Sequence, residues 1–251
     1  MSIFGFSTET STADFLPVCK FDARSGLWFR IDRVDTGQGF APEPVDITRG
    51  FKAIFDAENV ETGWINFPAG GAPISALIQM RDLLAGKLVF PPSPGENFKQ
   101  GVRFLLKLAK DVGGDKPVRE VMATSKAFIG GIEALYSEYL KEAAANAGKL
   151  PVIVMDGITL IKTGSGAKTS SNYRPNLKIV GWVPRGDLVW KPHGGNLITA
   201  MAQGTVGAAP AGNGAAPTAQ VHRPATGATR AVPPTQQPQQ QPQAFDASDF
   251  G

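Results

Sequence analysis

Hydrophobic and polar residues alternate in several short stretches of the first half of the chain, and glycine or proline turns separate them. A period of two is typical of β-strands that bury one face of a sheet. Residues 27–33 show it clearly, because Trp28, Arg30 and Asp32 share one face while apolar residues share the other. We predict further strands over residues 15–22, 49–56, 61–67 and 102–108.

The stretch 102–108 places its apolar residues inward and leaves Arg103 and Lys107 on the outward face. Residues 72–95 contain aliphatic side chains without a clear period and end in a proline-rich loop, so they fit no single element.

Residues 125–147 change to a period near 3.6, which predicts a helix packed on the core. Phe128, Ile132, Leu135 and Tyr139 form its apolar stripe, and Ser125 can cap its start. The glycine pair at 130–131 weakens the first turns, so we expect the stable helix to begin near Ile132.

A long β-hairpin follows the helix, with strands over 150–162 and 176–183 and a polar loop over 163–175. We also expect a short strand near residues 188–190. Seven or so strands and one long helix predict a mainly β domain over residues 1–202, and an OB-like, partly open β-barrel fits these counts.

Residues 203–251 are almost entirely Ala, Gly, Pro, Thr and Gln. So little apolar side chain cannot offset the entropy of ordering a backbone, which predicts a disordered tail. The tail ends in an acidic and aromatic sequence that we call the tip, residues 245–251. Phe245, Asp246, Asp249 and Phe250 indicate a tethered docking peptide, and the alternative is a linker whose last residues have no role.

Charge is uneven along the chain, although the formal net charge is only +3. Residues 149–202 contain seven Lys or Arg against two Asp, whereas residues 1–148 contain sixteen basic and eighteen acidic residues. A local positive excess of this size suits an anionic partner but falls far below the density of a histone-like binder.

Enzymatic and metal chemistry find little support in the sequence. Cys19 is the single cysteine, so we expect no disulfide and no cysteine-based metal site, and a buried small thiol is the simplest interpretation. The two histidines have no recognisable triad or carboxylate partners. We expect no enzyme, cofactor or metal, and, without a signal peptide or membrane span, a soluble cytoplasmic protein.

The hairpin loop offers the clearest candidate chemistry. Its Gly166-Ala167-Lys168-Thr169 resembles the end of a phosphate-binding loop, but that loop needs glycine before the lysine and a helix after it, so we reject nucleotide binding. A mobile arm that clamps a nucleic-acid backbone remains, with an ordinary polar loop as its alternative. Aromatics interleave with basic residues here and elsewhere, which suits base stacking beside phosphate contacts. The predicted DNA-binding residues are Trp28, Arg30, Lys52, Arg103, Lys107, Lys162, Lys168, Tyr173, Arg174 and Lys178.

A β-rich domain followed by a Gly/Pro/Gln tail and an acidic, phenylalanine-containing tip resembles the single-stranded DNA-binding proteins, and the long helix before the hairpin resembles their phage type. The pair Asp249-Phe250 is similar to the Asp-Phe end of some phage relatives, although Gly251 follows here. The resemblance implies coating of single-stranded DNA in replication or recombination, recruitment of partner proteins through the tip, and possible homo-oligomers. The competing hypothesis is a phage interaction or scaffold module that does not bind nucleic acid.

Overall fold

The computed structural model describes residues 16–163, 169–198 and 246–250, and within them the chain is mainly β with one long helix. The strands are β1 Val18–Asp22, β2 Leu27–Asp35, β3 Phe40–Asp46, β4 Lys52–Phe55, β5 Glu61–Asn66, β6 Ile74–Gln79, β7 Lys99–Leu108, β8 Val118–Ala123, β9 Lys149–Thr163 and β10 Ser170–Pro184. The α-helices are α1 Met80–Leu84, α2 Lys110–Gly113 and α3 Lys126–Glu142, and 3₁₀ turns cover Ala57–Asn59, Ala143–Asn146 and Ala247–Phe250.

All ten described strands belong to one open sheet in the order β10-β9-β4-β7-β8-β1-β2-β3, with β5 and β6 branching from β7. Strand β7 is central because it pairs with β4, β5 and β8. Every pairing is antiparallel except the short parallel pairing of β1 with β8. The sheet also curves toward itself, since Tyr173 N–H on β10 donates to Ala23 O beside β1 at 2.6 Å.

The core lies between the sheet and α3. Phe104 on β7 packs against Phe128 on α3, with ring centroids 6.4 Å apart, and Phe55 on β4 meets Phe104 edge to face at 5.1 Å. Cys19 lies in this core as a free thiol, and burial raises its pKa to about 12. The predicted small buried thiol is therefore confirmed.

Helix α3 begins as the capping signal indicates, because Ser125 Oγ accepts a hydrogen bond from Phe128 N–H. The expectation of a stable start near Ile132 is wrong, since the helix is already formed at Lys126. The glycine pair has a packing role. A Cβ at Gly131 would lie only 2.7 Å from Pro175 O, so glycine permits the close approach of α3 to β10.

The structure differs from the sequence predictions in the length of the hairpin loop and in three strands. The return strand of the hairpin begins at Ser170, so the loop is much shorter than the predicted residues 163–175. Strands β3 and β8 were not predicted, and residues 188–190 form no strand. The sequence did not predict β3 because Pro42 and Pro44 interrupt its alternating pattern. Both prolines are tolerated because β3 lies at the edge of the sheet.

Candidate nucleic-acid interface

The hairpin of β9 and β10 extends well beyond the rest of the sheet. Strand β4 pairs only with Val152, Ile153 and Val154 of β9, whereas β9 and β10 pair with each other from Lys149 to Thr163. We call the portion beyond Val154, residues 155–163 and 169–177, the hairpin arm. The arm is backed on one side by α3, which packs along β10.

Three of the predicted contact residues lie on the arm. Lys162 is exposed and Arg174 is half-buried, and among the described residues neither forms an ion pair. Tyr173 is half-buried, and its Cγ lies 3.2 Å from where a Cβ on Gly26 would be, so part of its ring faces the β1–β2 turn. In the register of β9 and β10, Lys162 and Tyr173 share one face of the arm, whereas Arg174 lies on the opposite face, toward Gly130 of α3. The arm therefore presents one available cation on each face and a partly covered aromatic ring on the face of Lys162.

Lys178 and Lys168 stand apart from this group. Lys178 is exposed but pairs with Asp156 at 2.5 Å, and both side chains remain about half in solvent. An exposed pair of this kind is worth little to stability and can open for another anion. Lys168 lies outside the described residues.

Trp28, a predicted stacking residue, is fully buried and stacks on Phe51 at 4.2 Å. It therefore has no face open to a base. The alternation of β2 was predicted correctly, but the face that carries Trp28 is the inner one.

Arg103 is also buried, being 1% exposed on the face of β7 opposite to α3, which we call the outer face. Its guanidinium donates to Glu61 Oε2 at 2.6 Å, to Glu120 Oε2 at 2.7 Å and to Lys191 O at 2.7 Å. Burial raises the pKa of Glu61 despite this guanidinium. Arg103 is thus a buried structural cation that a phosphate cannot reach.

The remaining predicted cations of the sheet are also paired. Lys107 donates to Asp187 at 2.7 Å, and this hydrogen bond is the main reason that the pKa of Asp187 is lowered. Arg30 pairs with Asp32 at 2.9 Å. Burial opposes ionisation of Asp32, but hydrogen bonds from Arg30 and Arg119 outweigh it and lower its pKa.

A segment without strands, residues 185–198, covers the outer face, and we call it the outer segment. Arg185 anchors its start by bonding Asp56 at 2.9 Å and Glu58 at 2.5 Å. Trp190 then lies over Arg103, with the guanidinium carbon 5.9 Å from the ring centroid. The sequence predicted only a short strand near residues 188–190 and nothing that covers β7. Arg103 and Lys107 were therefore predicted to be exposed, whereas this segment covers them.

The end of the outer segment is held by side-chain hydrogen bonds. Asn196 both accepts from Leu77 N–H and donates to Leu77 O, each at 3.1 Å. His193 Nε2 lies 3.2 Å from Pro73 O, and its Nδ1 lies 3.7 Å from Glu120. Burial would lower the pKa of His193, but the hydrogen bond and charge of Glu120 raise it.

The tip packs against its own domain. Phe250 is only 7% exposed and belongs to the hydrophobic core cluster, and the turn Ala247–Phe250 contacts α2. Asp249 forms an ion pair with Lys52, a predicted DNA-binding residue that is itself buried. Asp246 is exposed, and the backbone N–H of Ser248 is the main cause of its lowered pKa. The prediction of a disordered tail is therefore wrong for Phe250, which packs in the core, while Phe245 lies outside the described residues.

An apolar groove of about 200 Å³ opens between α1, α3 and β5. Tyr136, Ile132 and Met80 contribute to its wall, and Glu133 is the charged residue of its lining. In the part of the chain that the structure describes, no group of three or more His, Cys, Asp or Glu side chains could hold a metal ion.

Comparisons with protein-family models, with curated proteins and with solved structures find no match for this chain. Within the described ranges, no helix combines the length and the apolar character needed to cross a membrane.

Proposed function

We propose that this chain is a single-stranded DNA-binding protein that coats exposed strands in phage replication or recombination with little sequence preference. The observation that carries the proposal is the hairpin arm. Lys162 and Arg174 lie on opposite faces of it without carboxylate partners among the described residues, and Tyr173 shares the face of Lys162. Cations that follow a groove and aromatics on which bases stack are the means by which such proteins bind without reading sequence.

The order of elements supports an OB-like barrel as the finer description of the domain. Strand β7 pairs antiparallel with both β4 and β8, and α3 follows β8 in the chain. The first strand of the hairpin, β9, then pairs with β4. In OB domains the loop between the last two strands contributes to oligonucleotide binding. The hairpin arm occupies the corresponding position here.

The contact between Asp249 and Lys52 supports an anion-binding role for that lysine. Asp249 of the tip places a carboxylate directly on Lys52. We propose that Asp246, Asp249, Phe245 and Phe250 also recruit replication or recombination proteins. A partner that takes Phe250 must first displace it from its buried position.

The test is a salt titration of the full chain against a fluorescent oligo-dT by anisotropy. Each phosphate contact adds roughly 0.7 to the log–log slope for a single strand, so a few contacts give about −2 to −4. The variant Lys162→Ala/Arg174→Ala should reduce the slope by about 1.4 on the same basis. The variant Lys141→Ala/Lys149→Ala makes the same charge change at exposed positions near the other end of α3 and should leave the slope unchanged.

Two results would count against the proposal in different ways. No binding of the parent at low salt would end the single-strand hypothesis and favour an interaction or scaffold module. Binding that both double variants weaken equally would remove the arm as the contact, because only overall charge would then matter.

A further inference from the structure

The outer segment is held at both of its ends, while most of its middle, residues 189–194, faces solvent. Its start is fixed by the ion pairs of Arg185, and its end by the two hydrogen bonds between Asn196 and the backbone of Leu77. Trp190 and His193 are half-buried, and the other residues of the middle are exposed, namely Val189, Lys191, Pro192 and Gly194. These two rings are therefore the side chains through which the middle of the segment packs on the sheet.

Both ring nitrogens of His193 face hydrogen-bond acceptors. Nε2 lies 3.2 Å from Pro73 O, and because a carbonyl oxygen only accepts, Nε2 is the nitrogen that donates there. Nδ1 lies 3.7 Å from Glu120 Oε1, and an ionised carboxylate is also an acceptor. Only the doubly protonated, cationic ring presents an N–H to each group. The neutral ring turns the lone pair of Nδ1 toward a negative charge.

The charges around His193 balance only when its ring is protonated. The charged groups of the buried network beneath the segment are Glu120 on β8, Glu61 on β5 and Arg103 on β7, and Pro73 O next to β6 is neutral. Two carboxylates and one guanidinium leave one negative charge, which the imidazolium neutralises. Burial and the charge of Arg103 oppose protonation, but the hydrogen bond and charge of Glu120 outweigh them and raise the pKa of His193.

The other ring of the middle is held at a cost. Trp190 covers the guanidinium of Arg103, but its Nε1 is buried and has no hydrogen-bond partner among the described residues. Burial of an N–H without a partner is unfavourable, and water would satisfy this group if the middle of the segment lifted from the sheet. The closed position therefore depends on its remaining contacts, and His193 supplies the charged one.

We infer that His193 is a proton-operated latch, whose imidazolium holds residues 189–194 on the sheet and whose deprotonation releases them and uncovers Arg103. The inference does not depend on the proposed binding of DNA. The closed state binds the proton more tightly than the open state, where the ring lies in water and titrates near 6.5. The equilibrium constant for opening is therefore constant below pH 6.5 and rises by up to about tenfold per pH unit above it. It levels off once the pH exceeds the pKa of the closed state.

The test measures hydrogen exchange by NMR in the full chain without oligonucleotide, from about pH 5.5 to 8.5, with rates corrected for the intrinsic pH dependence of exchange. The reporters are the Trp190 indole N–H and the backbone N–H groups of residues 189–194. Their protection in the parent should fall by about two- to tenfold above pH 6.5. His193→Gln should be less protected at pH 5.5 and show no such step. His222→Gln changes the other histidine of the chain and should behave like the parent.

A second variant tests the contact itself. Glu120→Gln removes the carboxylate that faces Nδ1 and leaves Glu61 to balance Arg103, so the step should shrink. The inference is overturned if the corrected protection of the parent is the same across the pH range, or if His193→Gln or Glu120→Gln keeps the full step. It is also overturned if core amides of β7 lose protection in parallel, because the pH step would then report unfolding of the domain.

Discussion

Replacing Arg103 with methionine should destabilise the domain strongly, because the guanidinium is the counter-charge of a buried carboxylate. Glu61 is 3% exposed and Arg103 is 1% exposed, and their atoms are 2.6 Å apart. Methionine fills a similar volume but leaves Glu61 without a cation and Lys191 O without a donor. Removing one partner of a buried ion pair costs about 3–5 kcal/mol, and we expect a loss of that order in the free energy of unfolding.

The measurement is thermal unfolding followed by circular dichroism, together with urea titration. For a domain of this size each kcal/mol lowers Tm by about 2–4 °C, so Arg103→Met should lower it by about 6–20 °C. Lys107→Met is the matched control on the same strand and face. Its partner Asp187 has a side chain that is 67% exposed, so that pair should contribute about 1 kcal/mol at most.

A double variant sharpens the test. Glu61→Gln added to Arg103→Met removes the more deeply buried of the two carboxylate charges that lose Arg103, the other being Glu120, and should recover part of the lost stability. The reasoning is refuted if Arg103→Met unfolds within about 1 kcal/mol of the parent, or if the Lys107 control costs as much. A folded Arg103→Met variant that loses oligonucleotide affinity would return Arg103 to the binding residues.

Three further predictions concern the outer segment, the helix and the tip. The pKa of His193 is raised above 6.5 in the folded protein. The protonated imidazole therefore stabilises the fold fully below pH 6.5, and this stabilisation is lost as the pH rises through the pKa of the folded state. The stability gap between the parent and His193→Asn should therefore shrink as the pH rises above 6.5 in urea titrations. Gly131→Ala should cost about 1–3 kcal/mol through overpacking, whereas Gly130→Ala, with its nearest neighbour at 3.9 Å, should stabilise the helix by up to about 1 kcal/mol. Phe250→Ala should release the tip, so that amide exchange in α2 becomes faster and oligonucleotide affinity stays equal or rises slightly as the Asp249 carboxylate leaves Lys52. A marked loss of affinity would contradict this.

Much of the fold could be predicted because the core obeys simple periodicities. Strand β7 was predicted as a strand, and the helical stripe of α3 gives a burial pattern that matches its apolar residues. Strand β7 is buried on both faces, so its alternation predicted the element but not the burial of Arg103. The strands that were not predicted are those whose alternation of apolar and polar residues is interrupted by proline or charged residues. Strand β8 contains Arg119, which is buried because it bonds Asp32 and two backbone carbonyls at 3.0 and 3.1 Å, and no sequence pattern reveals such compensation.

The candidate site was harder to predict, because exposure depends on what covers each strand face. Periodicity states which residues share a face, but it does not state whether that face is inside or outside. Trp28 and Phe29 illustrate this, since the alternation was correct and the choice of face was not. Arg103 shows a second reason why exposure could not be predicted. It lies on the outer face of β7, but the outer segment covers that face.

Docking of the tip costs conformational entropy, which sets how firmly the domain can hold it. Ile198 is fixed beside Asn196, and Asp246 begins the docked turn, so docking of the tip joins two points of the chain that are 48 residues apart in sequence. Closing a flexible loop of roughly fifty residues costs about 3.5 kcal/mol plus a constant. Burying one phenylalanine returns about 1.5–3 kcal/mol, and a partly exposed ion pair returns about 1 kcal/mol at most. The gains are of the same size as this cost, so the domain holds the tip only weakly. A competing contact worth about one or two kcal/mol on Phe250 is then enough to displace it.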